Sequence, residues 1–358
     1  MNRIGERFTL STFGESHGVG IGCVIDGVPA GLRISEEFLN AEMARRRPGG
    51  TYATPRKEAD RVEIQSGIFQ GRSTGAPIAM FIRNENQKSA SYEDIKDIFR
   101  PGHADFTYFH KYGLRDYRGG GRSSARESAA RVAGGAVAKL FLQELGIGIK
   151  AGIFQVGELI TQQRDFDYAR KSEIYALDSA RESDFKSEIE RVRKEHDSIG
   201  GAVEVRAGAI PIGLGEPLYY KLDAALASAF MGLNAVKAVE IGEGIRAAQL
   251  RGSENNDSLR QGGFMSNHAG GILGGISNGE ELVARVYFKP TPSIFLPQKS
   301  LNEARQEVEF ELKGRHDPCV AVRGSVVCEA LMALVLADMV LLGMGSRMSD
   351  VKEFYTKV

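Results

Sequence analysis

Between residues 118 and 128 the chain reads Arg118, three glycines, Arg122, Ser123, Ser124, Ala125, Arg126, Glu127 and Ser128, a combination suited to holding an anion. The glycines free the backbone, and the two later arginines bracket a pair of serines. Ala125, Ala129, Val132, Ala133, Ala136, Val137, Leu140 and Phe141 then recur at helical spacing, with Gly146 as the stop. Ser124 with Glu127 three positions on has the form of a capping box. A glycine-rich loop feeding a helix start leaves N–H groups unpaired at the positive end of a helix dipole, which favours phosphate. The alternative is a capped helix with a solvated basic first turn. Arginine there opposes the dipole, and a purely structural cap is better served by Asp or Glu.

Four further polar, glycine-punctuated constellations accompany this loop. Residues 14–18 place His17 among small residues just before a strand pattern, where an imidazole suits proton transfer near neutrality; a turn histidine bonded only to backbone is the alternative. Residues 45–50 carry Arg45, Arg46 and Arg47, then Pro48 and two glycines, with Arg56 following. Three arginines complement a helix C-terminus, yet the sharp bend after them can turn guanidinium groups inward to grip carboxylate or phosphate. Residues 100–105 hold Arg100, His103 and Asp105, a proton-donor arrangement or a histidine satisfied within its loop. Near the C-terminus, Lys289, Pro290, Thr291, Pro292 and Ser293 form a rigid polar loop, and Arg315, His316 and Asp317 precede Pro318. Ahead of both lies 266–277, whose four glycines let backbone pack against a flat ligand.

Familiar nucleotide signatures fail. Gly18, Gly20 and Gly22 begin like a dinucleotide fingerprint, but the run continues as a strand instead of turning into a helix. There is no GxxxxGK[ST] loop. Lys plus Arg and Asp plus Glu balance at 46 each, so no basic field points to nucleic acid or anionic lipid, and positive charge must act locally. Cys23, Cys319 and Cys328 are odd in number and lack CxxC spacing, which argues against zinc or a disulfide framework. The opening residues have no apolar signal region, and the apolar run 325–342 carries Glu329 and Asp338. It reads as a core helix, and the chain as cytoplasmic.

Positioning these groups falls to mixed elements. Strands are expected at 21–25, 62–68, 78–82, 202–206 and 282–288, and helices at 35–47, 124–145, 179–194, 222–231 and 325–342. Strict strand–helix alternation is missing, so the class is α+β. Residues 161–197 are charged and read as a surface helical excursion. No low-complexity linker divides the 358 residues, which gives one domain over 1–358.

Taken together and in order, 14–18, 45–49, 100–105, 121–127, 266–277, 289–293 and 315–318 resemble the motifs of the chorismate synthase family. The resemblance covers nearly the whole chain. It implies a layered α+β sandwich of mixed or antiparallel sheets and helices, assembled as a homotetramer. The implied reaction is anti-1,4 elimination of phosphate from 5-enolpyruvylshikimate 3-phosphate to give chorismate. It requires reduced FMN without net redox change. NADPH enters as an indirect reductant, through an external flavin reductase or, in bifunctional members, through the enzyme itself.

By motif, His17 would protonate departing phosphate, His103 would serve the reduced flavin, and Asp317 would assist proton movement. Arg46, Arg47, Arg56 and Arg126, with Ser124 and Ala125, would bind substrate. Arg46, Arg122, Ser123, Ser124, Asn234, Ala235, Gly274, residues 289–293 and Arg315 would contact FMN. No metal is implied. Where many relatives carry a further arginine, residues 49–55 have none.

Overall fold

The computed structural model describes residues 2–47, 52, 60–85, 89–312 and 317–356. Two five-stranded antiparallel sheets sandwich a layer of helices. In the first sheet, β1 (Arg3–Ile4), β2 (Thr9–Gly14), β3 (Gly20–Asp26), β4 (Glu63–Ile64) and β5 (Ile78–Arg83) lie in the order β1-β2-β3-β5-β4. In the second, β6 (Gly148–Val156), β7 (Leu159–Ile160), β8 (Gly201–Gly208), β9 (Val236–Ile241) and β10 (Leu282–Phe288) lie in the order β9-β10-β8-β6-β7. Alternation decides the faces: Ile78, Met80 and Ile82 point inward from β5, and Leu282, Ala284, Val286 and Phe288 from β10.

Six helices bear on the core and the site: α1 (Glu36–Arg46), α2 (Asp105–Tyr112), α3 (Ser128–Gln143), α4 (Glu182–Lys194), α5 (Leu222–Met231) and α6 (Ala321–Gly343); Phe166–Ala169, Gly252–Asn255 and Met348–Thr356 are also helical. Helix α3 packs on the first sheet, α6 on the second, and the two pack on each other. Gly135 permits that approach, because a Cβ there would lie 2.4 Å from the Ala330 Cβ. Helix α6 is apolar all round because every side has a protein neighbour. It is long and apolar enough to cross a membrane, but it is the core of the sandwich, with 78% of its most apolar window buried.

The expected helices at 222–231 and 35–47 form; Ser35 caps α1 by accepting from Phe38 N at 3.1 Å. The helix expected from Ser124 begins instead at Ser128, after a short 3-10 turn at Ala125–Glu127. The capping box does not form. Ser124 Oγ accepts from Arg126 N at 3.4 Å, while the Glu127 carboxylate is taken by Thr12 Oγ1 at 3.0 Å and by Arg131. The expected strand 62–68 is interrupted at Gly67, whose φ of +82° leaves the extended region, so only Glu63–Ile64 joins the sheet. Segment 161–197 is not merely a surface excursion, since Ile174, Ala176, Phe185 and Ile189 enter the main core.

Candidate active site

The expected histidines meet at the glycine turn. Ser16 ties loop 14–18 to it, its N donating to Gly121 O at 3.3 Å and its Oγ to Arg118 O at 3.4 Å. Gly119, Gly120 and Gly121 all adopt positive φ, at 67°, 89° and 53°. A Cβ on Gly119 would stand 2.8 Å from the His17 ring, and one on Gly120 2.7 Å from His103 Cε1. Glycine is therefore required twice over, by conformation and by the closeness of both imidazoles.

His17 is 4% exposed and meets the Tyr92 ring edge-on at 5.3 Å. His103 presents Nδ1 to Asp105 Oδ1 at 2.9 Å, and Arg100 grips both Asp105 oxygens at 2.7 and 2.8 Å. Burial is the main cause pulling the His103 pKa below its ordinary 6.5; Asp105 pulls the other way, and Arg100 and Lys289 add to the depression. Burial would raise the Asp105 carboxyl, but Arg100 and His103 hold it far below the usual carboxylate range.

A second wall is cationic. Arg46 is 2% exposed; its Nη1 donates to Asp60 Oδ2 at 3.1 Å, its Nε to Ser128 Oγ at 3.3 Å and its Nη2 to Ala125 O at 3.1 Å. Arg126 pairs through Nη1 with the other oxygen of Asp60, and its Nε donates to Asn84 Oδ1 at 3.1 Å. Burial would raise the Asp60 carboxyl, and the two guanidinium groups more than reverse that.

The third wall comes from the far sheet. Lys289 Nζ donates to Gly102 O at 2.5 Å, Thr291 Oγ1 donates to Asp317 O at 2.8 Å, and Arg323 forms an ion pair with the Asp317 carboxylate. Asn234 donates through Nδ2 to Ser123 O at 2.8 Å, while its buried Oδ1 has no hydrogen-bond partner. Ala235 sits at a φ of +69°, a strained value for a side chain.

These walls border a cavity of about 280 Å³, lined among the described residues by five cationic side chains (Arg46, Arg100, Arg126, Lys289 and Arg323) and one carboxylate, Asp317. The chain is neutral overall, so this local excess selects anions. The structure brings His17, His103, Asp317, Arg46, Ser123, Ser124, Ala125 and Arg126 into one lining, with Asn234, Ala235, Lys289, Thr291, Pro292 and Ser293.

Four expected residues stay outside it. Arg122 lies in a 3-10 turn, where neighbours differ by about 120°. Ser123 therefore faces the cavity, while Arg122 turns to Thr12 O at 2.9 Å. Arg47 is exposed at the C-cap of α1. Pro290 is exposed, and so is Gly274, at the tip of the hairpin joining Ile272–Leu273 to Ile276–Ser277. Arg56 and Arg315 lie outside the described residues. The sequence reading missed Tyr92, Asp60 and Arg323. Arg323 had a signal, as the lone cation at the head of the apolar run; the other two had none.

Comparison with known proteins gives one consistent answer. The family model for chorismate synthase matches residues 8–341. A chorismate synthase of Wolinella succinogenes is 73% identical over 358 residues, covering 100% of this chain and 99% of the relative. That of Sulfurimonas denitrificans is 64% identical, with both chains covered in full. A crystal structure of chorismate synthase aligns with a TM-score of 0.77 and 34% identity, over 98% of this chain and 97% of the other. Seven motifs in order, a two-sheet α+β sandwich and a full-length match agree, and the chain belongs to the chorismate synthase family.

Proposed function

We infer that the chain eliminates phosphate from 5-enolpyruvylshikimate 3-phosphate to give chorismate, in the cavity lined by His17, His103 and Asp317. The observation that carries this reading is a cluster of five cationic side chains in one lining, beside two imidazoles that share one glycine turn. The family consists of lyases that need a reduced flavin, and FMN is the form proposed here. The lining suits a flavin: Asn234 offers a buried, unpartnered acceptor, and Ser123, Ser124, Lys289, Thr291 and Ser293 offer polar groups around it. When bound, reduced FMN supplies electron density to the reacting ring without net oxidation.

The protein's own groups would then act as follows. Arg46 and Arg126, with Ser124 and Ala125, bind the substrate's phosphate and carboxylates and fix the ring. His17 gives a proton to the departing phosphate oxygen, where negative charge develops. Asp105 accepts from His103 Nδ1, which leaves Nε2 to hold or release a proton as the anionic site fills. Asp317, paired through Oδ2 with Arg323, receives at Oδ1 the proton released as the ring C–H pair becomes the new double bond. Arg47, Arg122, Pro290 and Gly274 are left out of this arrangement, because they lie off the cavity. We further propose one folding unit over 1–358, a cytoplasmic homotetramer, and flavin reduced elsewhere at the expense of NADPH.

Phosphate release from 5-enolpyruvylshikimate 3-phosphate under anaerobic conditions tests the reading. Release should require reduced FMN and should largely disappear in His17→Ala. Flavin-independent release, or wild-type turnover by that variant, overturns it. Chemically reduced FMN should support turnover, and NADPH with oxidised FMN should not.

A further inference from the structure

We propose that Asp60 is a positioning residue for the reaction: it does not touch substrate, but fixes the Arg46 and Arg126 guanidinium groups in the orientation that grips the substrate's anionic groups. The inference rests on the proposed function, which makes those two arginines the anion clamp.

Three segments meet at this carboxylate. Arg46 comes from the last turn of α1, Arg126 from the 3-10 turn before α3, and Asp60 from the residues leading into β4. The Asp60 side chain is fully buried, and the two arginine side chains are 2% and 3% exposed. The carboxylate is divided, with Oδ2 taken by Arg46 Nη1 and Oδ1 by Arg126 Nη1. Neither guanidinium approaches it as a bidentate fork, the arrangement expected of a simple stabilising pair. Each is instead anchored on its remaining nitrogens, Arg46 by Ser128 Oγ and Ala125 O, Arg126 by Asn84 Oδ1 and Arg83 O. One anion between two cations keeps like charges together at the cleft. The backbone is also unusual, because Asp60 adopts a φ of +48°. Such a conformation in a non-glycine residue persists where the surroundings over-determine it, and it is common at functional sites.

Positioning and plain charge neutralisation predict opposite signs. If Asp60 only diluted the positive field, Asp60→Asn would strengthen the attraction for a phosphorylated substrate and lower KM. If it positions, the same variant frees two mutually repelling guanidinium groups, and KM rises even though the cleft has become more positive.

The test measures kcat and KM for 5-enolpyruvylshikimate 3-phosphate with excess reduced FMN, in wild type, Asp60→Asn and Asp60→Glu, with thermal melting alongside. The expected result is a KM at least tenfold higher in Asp60→Asn, with kcat changed much less. Asp60→Glu keeps the charge and lengthens the arm, so it should melt near wild type and still raise KM several-fold. An unchanged or lowered KM in Asp60→Asn overturns the proposal. Should that variant fail to fold, Asp60→Glu decides alone, and wild-type kinetics there overturn it equally. A wild-type protein that releases no phosphate would instead remove the functional reading beneath it.

Discussion

Two buried ionic clusters start from neighbouring residues and serve opposite ends. Arg45 reaches Glu329 at 2.7 Å and Glu42 at 3.0 Å, and Lys139 reaches the same two carboxylates at 2.6 and 2.5 Å. Two cations meet two anions, Ala151 N donates to Glu329 Oε1 at 3.1 Å, and the group ties α1, α3, α6 and the second sheet together. One position on, Arg46 joins Arg126 around the single carboxylate of Asp60. The first cluster is neutral and closed. The second sets two cations on one carboxylate and borders a cavity. A cationic pair beside a cavity is placed to meet a ligand's negative charge.

The strongest test of this contrast is Glu329→Ala. Burial would raise the Glu329 carboxyl, but Lys139 and Arg45 hold it at about 2, against an ordinary 4.5. Removing it leaves two buried cations facing Glu42 alone, and unfolding stability should fall by about 3–5 kcal/mol, read from denaturant melts. Turnover per folded molecule should stay within a few-fold. Acid dependence checks the same cluster. With the folded pKa depressed, the Glu329 contribution is complete above 4.5 and is lost as pH falls towards 2. The acid limb of the stability curve should flatten in the variant over that window.

Arg126→Gln should invert the pattern. It leaves Asp60 still paired with Arg46, so stability should drop by only about 1 kcal/mol. Losing one partner of a buried charge contact with substrate should reduce kcat/KM by roughly 10² or more, equivalent to about 2–5 kcal/mol. A variant that loses stability on the scale of Glu329→Ala while keeping its kinetics would erase the distinction between the clusters.

Arg47→Ala carries the smallest effect. The side chain is exposed beyond the helix end, and both stability and kinetics should match wild type within about 0.5 kcal/mol. A large rise in KM would return Arg47 to the substrate clamp.

Much of this arrangement was legible beforehand where a local rule governs it. Ser35 and the acidic first turn mark the start of α1, and the alternation at 282–288 gives a half-buried strand, because periodicity and capping depend on near neighbours. Small flanking residues marked the motif histidines, yet His17 is buried, because the glycine turn and Tyr92 close over it. The capping box misled because Glu127 has a better partner in Thr12, 115 residues away in sequence. Tyr92 and Asp60 were invisible because their importance comes from what folds against them.

The sequence by itself determined the α+β class, the family, and the two histidines, arginines and polar loops that could bind a phosphorylated ring. Those follow from residue type and short spacing. Only the tertiary structure divided the arginine triplet, sending Arg45 to a closed network, Arg46 to the cavity and Arg47 to solvent. Successive residues on a helix differ by about 100°, so one short string faces three environments. Which environment holds the cavity is decided by elements that arrive from elsewhere in the chain.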